Sequence, residues 1–271
     1  MNIKNLSALC SLVTLIAYSS CTKDGSTPYT PGGINYTLIA PTCLLTDVSG
    51  TIGTEASIGH YEYDNLKRVI RESRNHDSDE TIYTYQGNTI HETYKSIHST
   101  GRITINEYKH FLNSVGFIQR TEDVDTFSSS KGETLYEYNS LGYLVREVYR
   151  RIQISATDTN YFYYYGSSYV YENGNQTKAY SLTLNSKGVA TDSTLNFIAT
   201  YYTNMPGKFQ TWLSWVERKG RPNTNELQSQ GSSVNKMMTV SYDQGPNGFP
   251  SGYHLSEGGL TGDLTLAWRC Q

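Results

Sequence analysis

The stretch at residues 135–150, LYEYNSLGYLVREVYR, contains the pattern that decides the fold. Tyrosine and glutamate alternate in YEY, which is typical of a strand with one packed face and one face in water. Asn139 and Gly142 then predict a tight turn, because Asn accepts hydrogen bonds from the backbone ahead of it and Gly adopts left-handed dihedral angles. Another strand-like run follows, so the stretch predicts a β-hairpin.

The same turn chemistry recurs along the chain. The pattern is an apolar or aromatic residue, then Asp or Asn, then two variable residues, then usually Gly, and finally an apolar residue. It occurs at 63–69, 112–118, 138–144, 184–189 and, more loosely, 242–249. Lys67 stands in place of the glycine in the first copy, which predicts a turn that is strained or built differently. Tighter hairpins are predicted around Gly87 and Gly174. We therefore predict an all-β domain at 36–271, an antiparallel hairpin meander that forms a large curved sheet or a barrel.

The composition fits this fold and argues against a nucleic-acid partner. The chain has 24 Tyr against 7 Phe and 3 Trp, and 17% of its residues are charged. Tyr suits a half-buried pleated surface, since its ring is apolar and its hydroxyl can stay wet. The formal net charge is -3, and no clustered basic stripe of the kind that binds nucleic acid is present.

The N-terminus predicts an export signal at residues 1–20. Lys4 makes its start positive, and the apolar run at 8–17 is shorter than the roughly 20 residues that span a bilayer. The stretch LIAYSSCTKDG resembles a bacterial lipobox, although Tyr18 departs from the usual aliphatic residue. The resemblance implies cleavage before Cys21 and lipidation of that cysteine. An ordinary secretory signal is the alternative.

The residues that follow the signal predict a flexible tether at 21–35. TKDGSTPYTPGG is rich in Gly, Ser, Thr and Pro and carries little apolar content. Its Lys-Asp pair resembles the export signal of surface-displayed lipoproteins in Bacteroidetes. We therefore expect an outer membrane lipoprotein that associates with the membrane through its lipid anchor. It would face the periplasm or the cell surface, with the surface favoured.

Two cysteines remain for the folded domain. Cys10 leaves with the signal and Cys21 takes the lipid, while Cys43 and Cys270 lie in strand-like runs at opposite ends of the domain. An exported protein meets an oxidising compartment, so these two cysteines predict a disulfide. Closing so long a loop would stabilise the fold by about 5 kcal/mol. Two free buried thiols are the alternative.

The repeated hairpins also carry a family resemblance. The units YEYDNLKRVIRE and YEYNSLGYLVRE look like the tyrosine-aspartate repeats of Rhs-type wall proteins. With the lipobox and the end cysteines, residues 33–271 resemble a family of Bacteroidetes lipoproteins of unknown function with a porin-like fold. The resemblance implies a curved sheet, open or closed into a barrel, and implies no activity.

The residues expected on the outer face argue against membrane insertion. A spanning barrel needs apolar side chains at every second position of its lipid face. The outward candidates are instead Glu62, Glu137, Arg146 and Lys178. We therefore expect a sheet in water on a lipid tether.

A search for catalytic motifs finds none that predicts an enzyme. G-x-S-x-G, P-loop and dinucleotide-binding patterns are absent from the sequence. Its histidines lack metal-site spacing, and the acidic groups around Asp77 and Asp123 lack the calcium-loop pattern. We therefore predict no catalytic residue, metal or cofactor. A carboxylate-dependent hydrolase stays open, since the 25 acidic residues could include an opposed pair.

Two aromatic segments are the candidates for binding. Residues 204–238 interrupt the hairpin rhythm and contain Trp212 and Trp215, and the run YFYYY would place its first, third and fifth tyrosines on one face of a strand. These candidates are Trp212, Trp215, Tyr161, Tyr163 and Tyr165. We predict a non-enzymatic, lipid-anchored binding module for a glycan or an envelope protein. A hydrolase and a purely structural envelope component are the alternatives.

Overall fold

The computed structural model describes residues 41–74, 78–98, 100–123, 130–154, 159–209, 217–219, 221–233 and 236–270. Sixteen strands follow one another: β1 Cys43–Ile52, β2 Glu55–Tyr63, β3 Val69–Arg74, β4 Asp79–Gln86, β5 Thr89–Ile97, β6 Ile103–Leu112, β7 Ile118–Asp123, β8 Ser130–Tyr138, β9 Leu144–Ile154, β10 Thr159–Glu172, β11 Asn175–Leu184, β12 Ala190–Pro206, β13 Asn225–Ser233, β14 Lys236–Gln244, β15 Pro250–Glu257 and β16 Leu260–Cys270. A short 3-10 helix occupies Pro246–Gly248, and residues 208, 209 and 217 are helical. None of the helices in this part of the chain is long and apolar enough to cross a bilayer.

The strands form a closed antiparallel barrel. Each strand pairs with its neighbours in sequence, and β16 returns to pair with β1. The predicted all-β hairpin meander is therefore confirmed, and the choice between open sheet and barrel is settled as a barrel. Cys43 lies directly opposite Cys270 where the two strands meet, and a disulfide joins them. The predicted bond is thus confirmed, and it links the ends of the barrel chain.

The recurring turn has one hydrogen-bond plan. Asn139 Oδ1 accepts hydrogen bonds from the backbone N–H groups of Leu141 and Tyr143, both at 3.0 Å. The N–H of Gly142, at φ 86°, donates to the Asn139 carbonyl at 3.0 Å. The same three bonds recur at the turns that begin with Asp64, Asn113 and Asn185. One side-chain oxygen therefore satisfies two turn amides in each of these four copies, while the looser copy at 242–249 turns through the 3-10 helix at Pro246–Gly248.

The first copy keeps this plan without glycine. Lys67 takes the left-handed position at φ 63°, and its N–H donates to the Asp64 carbonyl at 3.0 Å. The predicted strain is therefore present, but the turn is built like the others. The two carboxylate–amide bonds from Asp64 hold a conformation that costs a residue with a Cβ about 1–2 kcal/mol.

The repeated tyrosines pin neighbouring strands together through their hydroxyls. Tyr138, the last residue of β8, donates to the carbonyl of Ile118, the first residue of β7, at 2.5 Å. Three further side chains near the end of an even-numbered strand donate in the same way to a carbonyl near the start of the strand before it. These bonds are Tyr63 to Leu45 (2.6 Å), Tyr85 to Val69 (2.8 Å) and, through the indole N–H, Trp268 to Pro250 (2.6 Å). Phenylalanine could not make this bond, which gives the tyrosine-rich composition a structural reason.

We call the end that carries the β2–β3, β6–β7 and β8–β9 turns the closed end, because the β12–β13 connection lies against it. The Arg218 carbonyl accepts a hydrogen bond from the Ile118 N–H at 2.8 Å, and the Arg221 backbone N–H donates to the Gly142 carbonyl at 2.7 Å. Phe209 belongs to the barrel core. The described part of 207–224 therefore packs onto the turns and into the barrel at this end. The opposite end, where β10 begins and the exposed rings of Tyr164 and Tyr165 lie, is called the open end.

Strand alternation gives the barrel an inner and an outer wall. Inward side chains form the main hydrophobic cluster of Leu45, Val48, Tyr61, Val69, Ala199, Phe209, Leu227, Met238, Val240, Tyr253, Leu255, Leu264 and Leu266. Outward side chains form ion pairs instead. Arg71 contacts Glu62 at 2.8 Å and Glu80 at 2.6 Å, and Arg146 contacts Glu137 at 2.8 Å. The outer wall of these strands is therefore charged, as the sequence predicted for Glu62, Glu137 and Arg146.

Candidate functional site

The structure describes three of the five predicted binding residues, and it places these three on two different faces of β10. Cys21, Trp212 and Trp215 lie outside the described residues. On β10, Tyr163 lies opposite Arg150 while Tyr165 lies opposite Tyr149, with an irregularity between the two pairs. This bulge inserts one residue and reverses the alternation. The prediction that Tyr161, Tyr163 and Tyr165 share one face is therefore wrong: the first two face outward and Tyr165 faces inward.

The two outward tyrosines are held by Arg150. Its guanidinium lies 4.5 Å from the centre of the Tyr161 ring and donates to the Tyr163 hydroxyl at 3.3 Å and to Glu133 at 2.6 Å. Gly188 of the β11–β12 turn packs on the Tyr163 ring so closely that an added Cβ would lie 2.4 Å from it. The Tyr163 ring is therefore covered, and it does not offer a free platform to a ligand.

A group of tyrosines on the inner wall forms the strongest candidate site. Tyr149 stacks on Tyr165 with ring centres 5.1 Å apart and lies 6.0 Å from Tyr164. The Tyr149 hydroxyl donates to Asp123 Oδ2 at 3.4 Å, and Asp123 lies directly opposite Tyr108 on β6. We call these residues, Tyr108, Asp123, Tyr149, Tyr164 and Tyr165, the tyrosine belt.

Gly132 on β8 allows two residues of the belt, Asp123 on β7 and Tyr149 on β9, to come into contact across that strand. A Cβ at Gly132 would lie 1.9 Å from Asp123 Oδ2 and 2.8 Å from the Tyr149 hydroxyl oxygen. Because Gly132 has no side chain, the Asp123 carboxylate and the Tyr149 hydroxyl have room to meet in front of it. The sequence analysis missed both Gly132 and Tyr149, since Gly132 stands inside a strand, away from any turn signal.

Polar groups continue from the belt along the inner wall. His110 contacts Glu92 Oε2 through Nε2 at 2.9 Å and Thr121 Oγ1 through Nδ1 at 2.8 Å. Its ring stacks on Tyr108 with centres 6.4 Å apart. Burial, together with the nearby Asp123 charge, raises the pKa of the Tyr108 hydroxyl. That phenol therefore stays protonated at neutral pH and can donate a hydrogen bond.

The belt reaches water at the open end. Tyr164 and Tyr165 are 58% and 56% exposed, and Phe162, opposite Arg151, is 48% exposed. Large aromatic rings are seldom left this accessible beside one another without a role in binding. Exposed rings next to a carboxylate and a guanidinium form a surface that can both stack on and hydrogen-bond to a ligand.

The closed end contains a different set of acids. Glu72 and Glu147 are buried, and Arg74 binds Glu72 through Nε at 2.6 Å. Burial raises the pKa of Glu217 to about 8, against the opposing charge of Lys219, and burial also raises the pKa of Glu147. These groups join the β12–β13 connection to the barrel wall. Among the residues that the structure describes, no group of three His, Cys, Asp or Glu could hold a metal ion.

Solved structures give the fold a context. The chain is similar to a porin-like protein from Bacteroides uniformis, with a TM-score of 0.60 and 12% identity over 86% of this chain and 99% of that one. It is also similar to a porin-like protein from Bacteroides vulgatus, with a TM-score of 0.50 and 12% identity over 83% and 98% of the two chains. No protein-family model matches the chain, and no curated protein is significantly similar to it. At this identity the likeness shows the fold alone, and it confirms the porin-like fold that the sequence resemblance implied.

Proposed function

We propose that the protein is a lipid-anchored envelope protein whose barrel binds a glycan at the tyrosine belt. The observation that carries the proposal is the cluster of exposed aromatic rings at the open end, next to Asp123 and Arg151. The protein acts here as a binding module, without a chemical step.

The belt has the two kinds of group that sugars require. A pyranose ring has apolar C–H faces that pack on aromatic rings, and a rim of hydroxyls that hydrogen-bond to charged or polar groups. The stacked pair of Tyr149 and Tyr165 supplies the aromatic face. Asp123 supplies an acceptor, and Arg151 lies opposite Phe162 as a donor. A protein partner is the competing ligand class, and the experiment below separates the two.

The outer wall favours a tether over insertion into a bilayer. Lys or Arg on the lipid face of a barrel costs about 2–4 kcal/mol at the midplane. Arg71 and Arg120 each hold two carboxylates on this wall, and Glu133 is clamped between Arg120 and Arg150. The lipobox-like sequence supports attachment at Cys21 to the outer membrane, with the cell surface as the favoured side.

The hydrolase alternative has weaker support. A glycosidase needs two carboxyl groups about 5–10 Å apart across a bond that substrate and water can reach. Glu72 and Glu147 are 6% and 7% exposed, and Arg74 neutralises Glu72. Release of reducing sugar from any glycan that binds would favour this alternative. A structural envelope component, the remaining alternative, would bind no glycan.

A glycan array with the purified chain from residue 22 onward tests the proposal. We expect binding by the wild type, loss in the double variant Tyr149→Ala/Tyr165→Ala, and binding retained in the triple variant Tyr163→Ala/Trp212→Ala/Trp215→Ala. The triple variant removes the outward candidate Tyr163 and the two candidates that lie outside the described residues. Loss in the triple variant with retention in the double variant would move the site away from the belt. Binding to no glycan leaves a protein partner, which an envelope pull-down then tests.

Metabolic labelling with a fatty-acid analogue tests the anchor. We expect label in the wild type and none in Cys21→Ala. Label that persists in Cys21→Ala would contradict the assignment. Protease treatment of intact cells then distinguishes the cell surface from the periplasmic side.

A further inference from the structure

The outer wall carries a second groove, far along the sheet from β9 and β10, where β12 leaves its partner. Tyr201 pairs with Leu227, and the next pair on that ladder is Pro206 with Asn225. Between these two pairs lie four residues of β12 but one residue of β13, so β12 curves away from β13. The opening forms a groove of about 420 Å³ that extends across β13 and β14 to β15.

Hydroxyl groups line this groove in register. Thr200 pairs with Ser229, Ser229 with Thr239, and Thr239 with Ser256, so four strands place one hydroxyl each in a row. Thr200 Oγ1 and Ser229 Oγ lie 2.8 Å apart. Each hydroxyl can donate and accept, which matches the hydroxyls of a sugar and gives no preference for a charged ligand.

A fixed imidazole and a fixed phenol complete the walls. His254 contacts Asp263 through Nδ1 at 2.7 Å and Asp243 through Nε2 at 3.0 Å, so both ring nitrogens are held. Tyr202 donates its hydroxyl to the Val240 carbonyl at 2.9 Å, and its ring meets Tyr242 edge-on at 6.2 Å. Both rings are thus positioned before any ligand arrives, which lowers the entropic cost of binding.

We propose that this groove is a second saccharide site, which takes a neutral disaccharide unit. Its volume lies in the range of about 300–1,000 Å³ that small-molecule sites occupy. Among the described residues that line it there is no Lys or Arg, and the carboxylates of Asp243 and Asp263 offset any positive charge on His254, so an anionic ligand finds no net counter-charge there. The groove is on the outer wall and shares no residue with the tyrosine belt. The inference therefore does not rest on the proposed function.

Amide chemical shifts test the groove directly. ¹⁵N-labelled full-length chain carrying Cys21→Ala is titrated with maltose, cellobiose and diacetylchitobiose, each to saturation or to its solubility limit. For at least one sugar we expect saturable shifts of the amides of Ser229, Ser241 and His254, all of which line the groove. The variant Ser241→Tyr, which fills the groove from an exposed position, should weaken the response by at least about tenfold.

Two controls keep the outcome specific. Ile105→Tyr adds a tyrosine at an exposed position of β6, outside the groove, and should leave the response unchanged. Tyr149→Ala removes one ring of the stacked pair in the belt and should also leave the groove shifts in place. Shifts confined to belt amides, no shift with any of the three sugars, or shifts that survive Ser241→Tyr would overturn the proposal. The first of these outcomes would leave the proposed function standing.

Discussion

Replacing Tyr138 with phenylalanine tests the role of the repeated tyrosines. The hydroxyl of Tyr138 donates to the Ile118 carbonyl at 2.5 Å, and both residues are buried. Burial also raises the pKa of this phenol well above its usual range, so the hydroxyl remains a donor throughout the accessible pH range. Tyr138→Phe removes the donor and keeps the ring in the cluster with Phe117, Leu144 and Tyr169.

The expected loss follows from the carbonyl that is left behind. A typical hydrogen bond contributes about 1 kcal/mol net, and a buried acceptor without a partner costs about 1–3 kcal/mol. We therefore expect Tyr138→Phe to lower the free energy of unfolding by about 2 kcal/mol, or Tm by about 4–8 °C. Tyr63→Phe breaks the equivalent bond at a part-buried site, where water can replace the donor, so its loss should be about 1 kcal/mol.

Equilibrium unfolding in urea with the disulfide intact measures these changes. Tyr164→Phe is the matched control, because its hydroxyl lies on a side chain that is 58% exposed, and it should leave the unfolding midpoint unchanged. If Tyr138→Phe has the same midpoint as Tyr164→Phe, the hydroxyl-to-carbonyl link does not stabilise the barrel. The explanation for the tyrosine-rich composition would then fail.

Three further variants test the turn, the buried acid and the disulfide. Lys67→Gly should stabilise the fold by about 0.5–1 kcal/mol. It relieves left-handed strain of about 1–2 kcal/mol, which exceeds the cost of the extra freedom of glycine in the unfolded chain. Lys67→Ala keeps the Cβ and should therefore give no increase in stability. Glu226 accepts the Phe209 N–H at 2.7 Å, and burial raises its pKa to about 8. The folded state therefore binds more protons between pH 4.5 and 8, and Glu226 makes stability fall as pH rises through that window by up to about 1.4 kcal/mol per unit. In urea titrations Glu226→Gln should lose this contribution and keep the part of the slope that Glu217 and Glu147 supply. Cys43→Ala/Cys270→Ala opens a loop with a sequence separation of 227 and should cost about 5 kcal/mol in the same assay; a loss below about 1 kcal/mol would contradict the loop-entropy estimate.

Local chemistry explains what the sequence could predict of the fold. The Asn or Asp at the start of each turn and the glycine three residues later act within one turn, so the pattern at Asn139 could be interpreted without the rest of the chain. Cys43 and Cys270 could be paired because the other two cysteines had separate explanations. Whether the sheet would close depended on the register of all sixteen strands, which no local pattern encodes.

The candidate site was harder to predict because it depends on contacts between strands. The strand alternation that grouped Tyr161, Tyr163 and Tyr165 was interrupted by a bulge between Tyr163 and Tyr165, next to Gly166, a residue that the strand pattern left out of account. Gly132 is informative only once Asp123 and Tyr149 are known to meet in front of it. The sequence therefore named β10, the strand that carries Tyr164 and Tyr165 of the proposed site, and assigned Tyr165 to the wrong face.

The affinity of an array-selected glycan for Gly132→Ala tests the central claim, that the tyrosine belt is the binding site. The added Cβ would lie 1.9 Å from Asp123 Oδ2, so the carboxylate must move away from Tyr149 while every aromatic ring is kept. Calorimetric titration should give an affinity at least about tenfold weaker than wild type for Gly132→Ala, and unchanged for the outer-wall control Tyr163→Ala. Unchanged affinity in Gly132→Ala with a loss in Tyr163→Ala would contradict the account and place the ligand on the outer wall.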